Sequence, residues 1–513
     1  MAGIGFELKK LFRKRNITGM LAGLIHSVFV TAGHMLLMMA FLVAIQVYLL
    51  NKGTGQFERE LFSSAILYSF IFPFILTSGV NMILSRYIAD SLYTGNADRI
   101  LPSMYGSMAV MILFTGIPGA LFYIFSPVDL WFRLAAFILY MEVGILFHIT
   151  VYVSAIKKYD RITFSYIFGV MAAAVPSYFI LESDMPPMMM VTGLVLSVAA
   201  GVLIIICGIV YGIRKYFSLV SNNYFDFLLY FKKYPQLYFL NTIYAVGLFV
   251  HNFVFWAYPA TRDSVAQTYV FSSDYDMASF LGMLTVIPAM VVFVVRMETS
   301  FYLRYKAYLD ATNGGTGEDI AVARHNLIRS VWQETAYMIE VQVIASLIMI
   351  ALIQNIMPGL GISKPILDFF PFVAYGFYFT VMMNMIGTIL LYFVRQRELI
   401  KVYALFFLAN AVFTIVSVYL GEAFYGIGII MAGMAGFAVV IARLRDTMKQ
   451  LDYIIFCSIV LEPEEKRTAF DRFTAGLDAK TDRVKDNNRK KIKKKDINEK
   501  NISAKTTESG HKL

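Results

Sequence analysis

One carboxylate in this 513-residue sequence stands where a carboxylate is costly. Glu142 lies in the run Phe137-Ile138-Leu139-Tyr140-Met141-Glu142-Val143-Gly144-Ile145-Leu146-Phe147-His148. About a dozen apolar-rich residues flank it on each side, which puts it near the midplane of a membrane helix, where ionisable groups face the protein interior or water. Two readings of Glu142 stand: a protonatable or cation-binding group in a central cavity, or an acid hydrogen-bonded to a neighbouring helix. His34 and His251 sit at similar depths in their own apolar runs. They could line a cavity or relay protons, or simply bond one helix to the next. His148 follows Glu142 by six residues, about 240° round a helix, so the two form no dyad.

Other polar points are sparser. Arg296 and Glu298 close one apolar run and Glu340 lies about a turn into the next. An inner ion pair is one reading, and snorkelling to the interface is the other. Asn241, Asn252 and Asn384 could bind hydroxyls or join helices. Tyr140, Tyr244, Tyr375 and Tyr378, among 32 tyrosines, could stack on sugar rings or pack. The chain has no GxxxxGK[ST] phosphate loop, no HExxH and no CxxC pair. No catalytic residue, metal site or cofactor is expected.

The elements that must position these side chains are set by composition. Hydrophobic residues make up 58% and charged residues 16%, with a mean hydropathy of +0.63. A soluble protein of this make-up would expose large apolar patches, so the chain belongs in a bilayer. Spanning the hydrocarbon needs about 20 mostly apolar residues as helix. Segments 19–50, 61–85, 103–126, 130–156, 162–181, 187–213, 236–259, 277–303, 335–356, 370–394, 401–420 and 424–445 meet that need. Strands are excluded, because an unpaired backbone in lipid costs several kcal/mol per group and these runs are too long for barrel strands. The first run is too long for a cleaved signal sequence and reads as a retained helix.

Lys and Arg test the count independently. They gather in every second connection: Lys9 to Arg15, Arg86 and Arg99, Lys157 to Arg161, Arg214 to Lys233, Arg296 to Arg329, Arg395 to Lys401, and the tail from Arg443. The alternate connections carry only Lys52, Arg59, Arg133, Arg262 and Lys364. Such alternation marks the cytoplasmic side, and places both termini in the cytoplasm of a multi-pass protein of the cell membrane. It also explains the net charge of +10 without nucleic-acid binding.

The expected fold is all-α, about twelve transmembrane helices in two six-helix lobes around a central cavity. The expected divisions are an amphipathic N-terminal segment 1–18, a first lobe 19–213, an amphipathic connector 214–235, a second lobe 236–445, and a largely disordered basic tail 446–513. The basic faces of the N-terminal segment and connector suit anionic membrane lipids. The tail is too polar to bury a core. Pro73 and Pro288, each mid-helix in a corresponding segment, agree with a two-fold repeat.

The opening Met1-Ala2-Gly3-Ile4-Gly5-Phe6-Glu7-Leu8-Lys9-Lys10-Leu11 resembles the start of PelG proteins, the inner-membrane transport components of Pel exopolysaccharide systems. The helix layout over 1–450 fits, and the sequence after about Asp471 extends beyond the usual family length. The resemblance implies a relative of the multidrug/oligosaccharidyl-lipid/polysaccharide flippases. It also implies a complex with a cytoplasmic glycosyltransferase and membrane subunits, and export of an N-acetylhexosamine-rich polymer. It supplies no residue-level motif. The expected function is therefore polysaccharide export by a carrier that is not an enzyme. An ion-coupled lipid-linked-oligosaccharide or small-molecule flippase, a membrane transferase and a synthase scaffold are the rivals.

Overall fold

The structure, a computed structural model, describes residues 41–50, 52–153, 155–156, 160–217, 221–360, 363–457 and 476. The expected segment 1–18, His34 and most of 19–50 lie outside these residues, as does the tail beyond 457 save 476. Within them the chain is helical: α1 (Phe41–Leu50), α2 (Gln56–Tyr93), α3 (Ile100–Ile124), α4 (Leu130–Val153), α5 (Asp160–Glu182) and α6 (Pro187–Tyr216). A short α7 (Leu229–Lys233) precedes α8 (Pro235–Ala257), and a two-stranded hairpin follows, β1 (Asp263–Val265) with β2 (Tyr269–Phe271). Then come α9 (Ser273–Leu284), α10 (Ile287–Arg296), α11 (Tyr302–Gly314), α12 (Gly317–Ile356), α13 (Lys364–Tyr392), α14 (Gln396–Leu420), α15 (Ile427–Lys449) and α16 (Leu451–Cys457). Among the described residues, 11 helical segments are long and apolar enough to span a bilayer. Every expected segment from 61–85 onward has its counterpart.

Packing follows small residues, since lipid offers no hydrophobic drive between helices and close backbone approach must supply the attraction. A Cβ on Gly201 of α6 would lie 2.6 Å from the Gly169 carbonyl of α5. A Cβ on Gly428 of α15 would lie 2.5 Å from the Thr414 backbone of α14. Helices α2 to α6 pack on one another, and α8 to α15 do likewise; α2 against α8 is the main helix contact between the groups. Buried hydrogen bonds pin the first group. His148 of α4 bonds Asn81 of α2 and Ser107 of α3, each at 2.9 Å, and Ser107 bonds Tyr152 at 2.9 Å. Apolar side chains left outside the packing, such as Ile117, Phe168, Phe179, Leu347 and Val412, would be untenable in water and suit lipid.

Contacts gather the basic connections at one end of the bundle. Arg99 pairs with Asp226 at 3.7 Å, Arg86 lies over the Tyr234 ring at 5.3 Å, and Arg443 pairs with Glu398 at 3.5 Å. The β hairpin stands at the other end.

Three expectations are corrected. The segment 277–303 is not one helix. It breaks at Thr285–Val286, where Pro288 removes a backbone donor and starts α10, and a π turn, Met297–Phe301, separates α10 from α11. Gln342 Nε2 of α12 donates to the Thr285 carbonyl at 2.9 Å. The segment 335–356 is the apolar end of a 40-residue helix, α12. Within the connector 214–235, Phe227 is buried against the first group. The tail does not begin at 446, because α15 continues to Lys449 and α16 docks through Asp452. That carboxylate accepts from the Tyr308 hydroxyl at 2.7 Å and pairs with Arg324.

Candidate functional site: the seam between the helix groups

The seam runs along α2 and α8. At the basic end it is polar and tight. Asn241 Nδ2 donates to the Ser78 carbonyl at 2.7 Å, and a Cβ on Gly79 would fall 2.7 Å from the Tyr238 ring. Farther along it is dry. Phe74 meets Phe249 edge-on at 5.8 Å, and Phe72 stacks on Phe253 at 6.0 Å.

The hairpin closes the far end. Register pairs Ser264 with Val270, and in an antiparallel ladder one residue points both backbone groups to the same side. Val270 turns both to Tyr68 of α2: the Tyr68 hydroxyl donates to the Val270 carbonyl at 2.8 Å and accepts from its N–H at 2.9 Å. A phenol thus stands where a third strand would pair. The same ring stacks on Trp256 of α8 at 5.4 Å and meets Tyr269 edge-on at 5.0 Å. Burial pushes the Tyr269 phenol well above its ordinary range, so it stays neutral. Ser126, after α3, and Thr268 share a 2.8 Å hydrogen bond across the junction.

Beneath the hairpin Asp276 is fully supplied with donors. The Asn252 amide reaches it at 2.7 Å, the Trp256 indole at 2.8 Å and the Ser272 backbone at 2.9 Å. Beside it, the His251 ring meets the Tyr275 hydroxyl at 3.0 Å.

The expected site residues are dispersed over both groups. Asn252 belongs to the Asp276 cluster, with His251 next to it. Asn384 accepts from Tyr403 at 2.8 Å, and Tyr244 lies 4.9 Å from the Tyr403 ring. Tyr378 is buried beside Phe379. Tyr140 donates to the Thr115 carbonyl at 3.2 Å and packs on Gly119. Glu142 is half-buried, and its Oε2 has no hydrogen-bond partner among the described residues. Gly144 faces Pro73 and Thr115, so Glu142, about 160° away round α4, points away from α2 and α3.

Of the residues named for an inner ion pair, Arg296 has an acid partner on α12 among the described residues. Arg296 pairs with Glu334 at 3.6 Å and lies 4.1 Å over the Tyr337 ring. Glu340 is exposed, about 240° round α12 from Glu334. The Glu298 side chain lies outside the described residues. Near this pair a cleft of 770 Å³ opens on the basic face between α11 and α12, with Arg296, Arg304, Asn326 and Glu334 in its walls.

Sequence reading missed Asp276, Tyr68 and Glu334. Asp276 had a signal, the polar Ser272-Ser273-Asp274-Tyr275-Asp276 start of a helix. Tyr68 had none, because its partner is 202 positions away.

Hydrogen bonds and packed aromatic rings thus join α2 and α8 along the seam and fasten the hairpin to its far end. Residues 1–456 match the family model of PelG, putative exopolysaccharide exporters. The chain belongs to the PelG family.

No curated protein matches this PelG chain. Its fold is that of solved transporters. An outward-facing multidrug resistance MATE family transporter of the MOP superfamily aligns with a TM-score of 0.58 at 12% identity, covering 83% of this chain and 96% of that one. An inward-facing MATE family transporter aligns at 0.51 and 13%, covering 81% and 96%. A MOP superfamily transporter from Pyrococcus furiosus aligns at 0.55 and 12%, covering 82% and 96%. The chain is a multi-pass membrane protein of an exporter family, with the fold of solved transporters.

Proposed function

We propose that this chain exports a Pel-like, N-acetylhexosamine-rich polysaccharide across the cytoplasmic membrane, taking polymer from a cytoplasmic glycosyltransferase within a complex of membrane subunits. The basic face is cytoplasmic in this reading, and both termini lie there. The two helix groups act as lobes, 19–213 and 236–445, that part along the seam.

The observation that carries the reading is the seam itself, within a chain of the exporter family. A hydroxyl-rich polymer cannot cross lipid unless protein groups replace its water. A seam that parts would expose Asn241, Asn252 and the backbone of Val270 to it. Contacts of that kind must be many and weak, so that the chain slides onward. Glu142, His34, His251, Asn384, Tyr140, Tyr244 and Tyr378 are the remaining candidates for the path.

Deleting the gene while keeping the synthase tests the reading. Polymer retained in the cytoplasm is the expected result, and normal secretion overturns it. A second reading is favoured by the unpartnered Glu142 oxygen: an ion-coupled flippase for lipid-linked sugars. Cation-coupled uptake into proteoliposomes, lost in Glu142→Gln, would establish it. A scaffold role predicts the opposite pattern, with secretion intact when the seam is altered.

A further inference from the structure

The cleft between α11 and α12 lies apart from the α2–α8 seam and has no part in closing it. Its lining carries two guanidiniums, Arg296 and Arg304, against three carboxylates, Glu318, Asp319 and Glu334. That balance does not favour a phosphate, a nucleotide or an anionic headgroup, each of which needs surplus positive charge. Between the charges stand Asn326, Gln333, Ser300 and Ser330, side chains that can each both donate and accept. Such a wall matches a ligand that also does both, at many closely spaced points.

A second observation shows unused bonding capacity there. Glu334 is only 8% exposed, yet its Oε2 has no hydrogen-bond partner among the described residues. Arg296 stands 3.6 Å away, an ion-pair distance beyond a hydrogen bond. A buried carboxylate oxygen left in this state gains from any hydroxyl or amide N–H that enters. The backbone beside it is the π turn Met297–Phe301, a distortion frequent at functional sites.

We propose that this cleft binds neutral, amide-bearing sugar units of the polymer at the cytoplasmic face, ahead of the seam. The inference rests on the export reading above, and it adds a binding site to it. Among the described residues no aromatic ring lines the cleft, so hydrogen bonds alone make the hold, which stays weak, as passage requires.

The test uses the full chain in lipid nanodiscs and N-acetylglucosamine oligomers as the probe, read by saturation-transfer NMR titration. Wild type should bind with a Kd in the millimolar range. Glu334→Gln and Arg304→Gln should each weaken binding about tenfold, the usual effect of losing one charged hydrogen-bond partner. Should either variant unfold, Asn326→Ala and Gln333→Ala, both on exposed positions of α12, should weaken it about threefold each. Unchanged affinity in all folded variants overturns the proposal. So does preferential binding of inorganic phosphate, or cleft substitutions that release the glycosyltransferase and leave sugar binding intact. If secretion needs this chain yet wild type binds no oligomer, the cleft falls and the exporter stands. If deletion leaves secretion normal, the exporter reading falls whatever the cleft binds.

Discussion

Replacing Tyr68 by phenylalanine removes one oxygen from the seam and nothing else. The ring keeps its stack on Trp256 and its edge contact with Tyr269. Lost are two hydrogen bonds, to the carbonyl and N–H of Val270. At about 1 kcal/mol net for each, the closed junction should weaken by about 2 kcal/mol, or about 30-fold in its opening equilibrium. The hairpin is short and has few bonds of its own, so it should open locally with the rest of the bundle intact. Hydrogen exchange followed by mass spectrometry in nanodiscs reads this directly. Peptides covering Asp263–Phe271 should exchange about 30-fold faster in Tyr68→Phe, with α13 and α15 unchanged. A rise below about threefold would show that the phenol is not what holds the hairpin to α2, and the account of the seam's closure would be wrong.

Gly79→Leu should force α2 and α8 apart, since even a Cβ there meets Tyr238 and Thr242; overpacking of this kind costs about 1–3 kcal/mol, and secretion should be lost while the protein still inserts, as membrane fractionation would show. Asp276→Asn presents an amide to three donors and should lower stability by about 2–3 kcal/mol, seen as a drop in Tm together with a shift in tryptophan emission. Asp452→Asn should loosen α16, detected as faster limited proteolysis after Lys449, because Tyr308 and Arg324 both lose their charged partner. The pH response of that tie has a defined sign: burial, then the Asp452 carboxylate, raise the Tyr308 phenol above its ordinary value, so docking is intact below about pH 10 and is lost as pH climbs through the raised value. Proteolysis that quickens between pH 7 and 9 would contradict this.

Much of the fold was legible because the bilayer imposes one length scale. The apolar runs from 61–85 onward met it, and the charges between them alternated. The extent of α12 was misread because hydropathy registers the lipid-buried part of a helix and is blind to its aqueous part. The apolar run was placed at 335–356, so Glu334, the acid that pairs with Arg296, fell just outside it. The start signal lay in the sequence at Thr316 and Asp319, whose side chains cap each other's backbone N–H groups at the helix start. The break before α10 had its own signal in Pro288, read as a mid-helix proline because Pro73 is one. Asn252 and His251 were singled out from the sequence, but not their partners, which lie 24 positions on, in α9. The hairpin escaped notice because three-residue strands leave almost no periodicity.

The length of α12 has a mechanical consequence. Its 40 residues make a rod of about 60 Å at about 1.5 Å per residue, twice the roughly 30 Å of hydrocarbon. Gln342 fastens it to the broken α9–α10 junction and so serves as a pivot. A tilt of about 5° there would swing the Gly317 end by about 3 Å, over a lever arm of roughly 25 residues. A load seated beside α11 would thereby pull, through Gln342, on the α9–α10 junction of the same helix group.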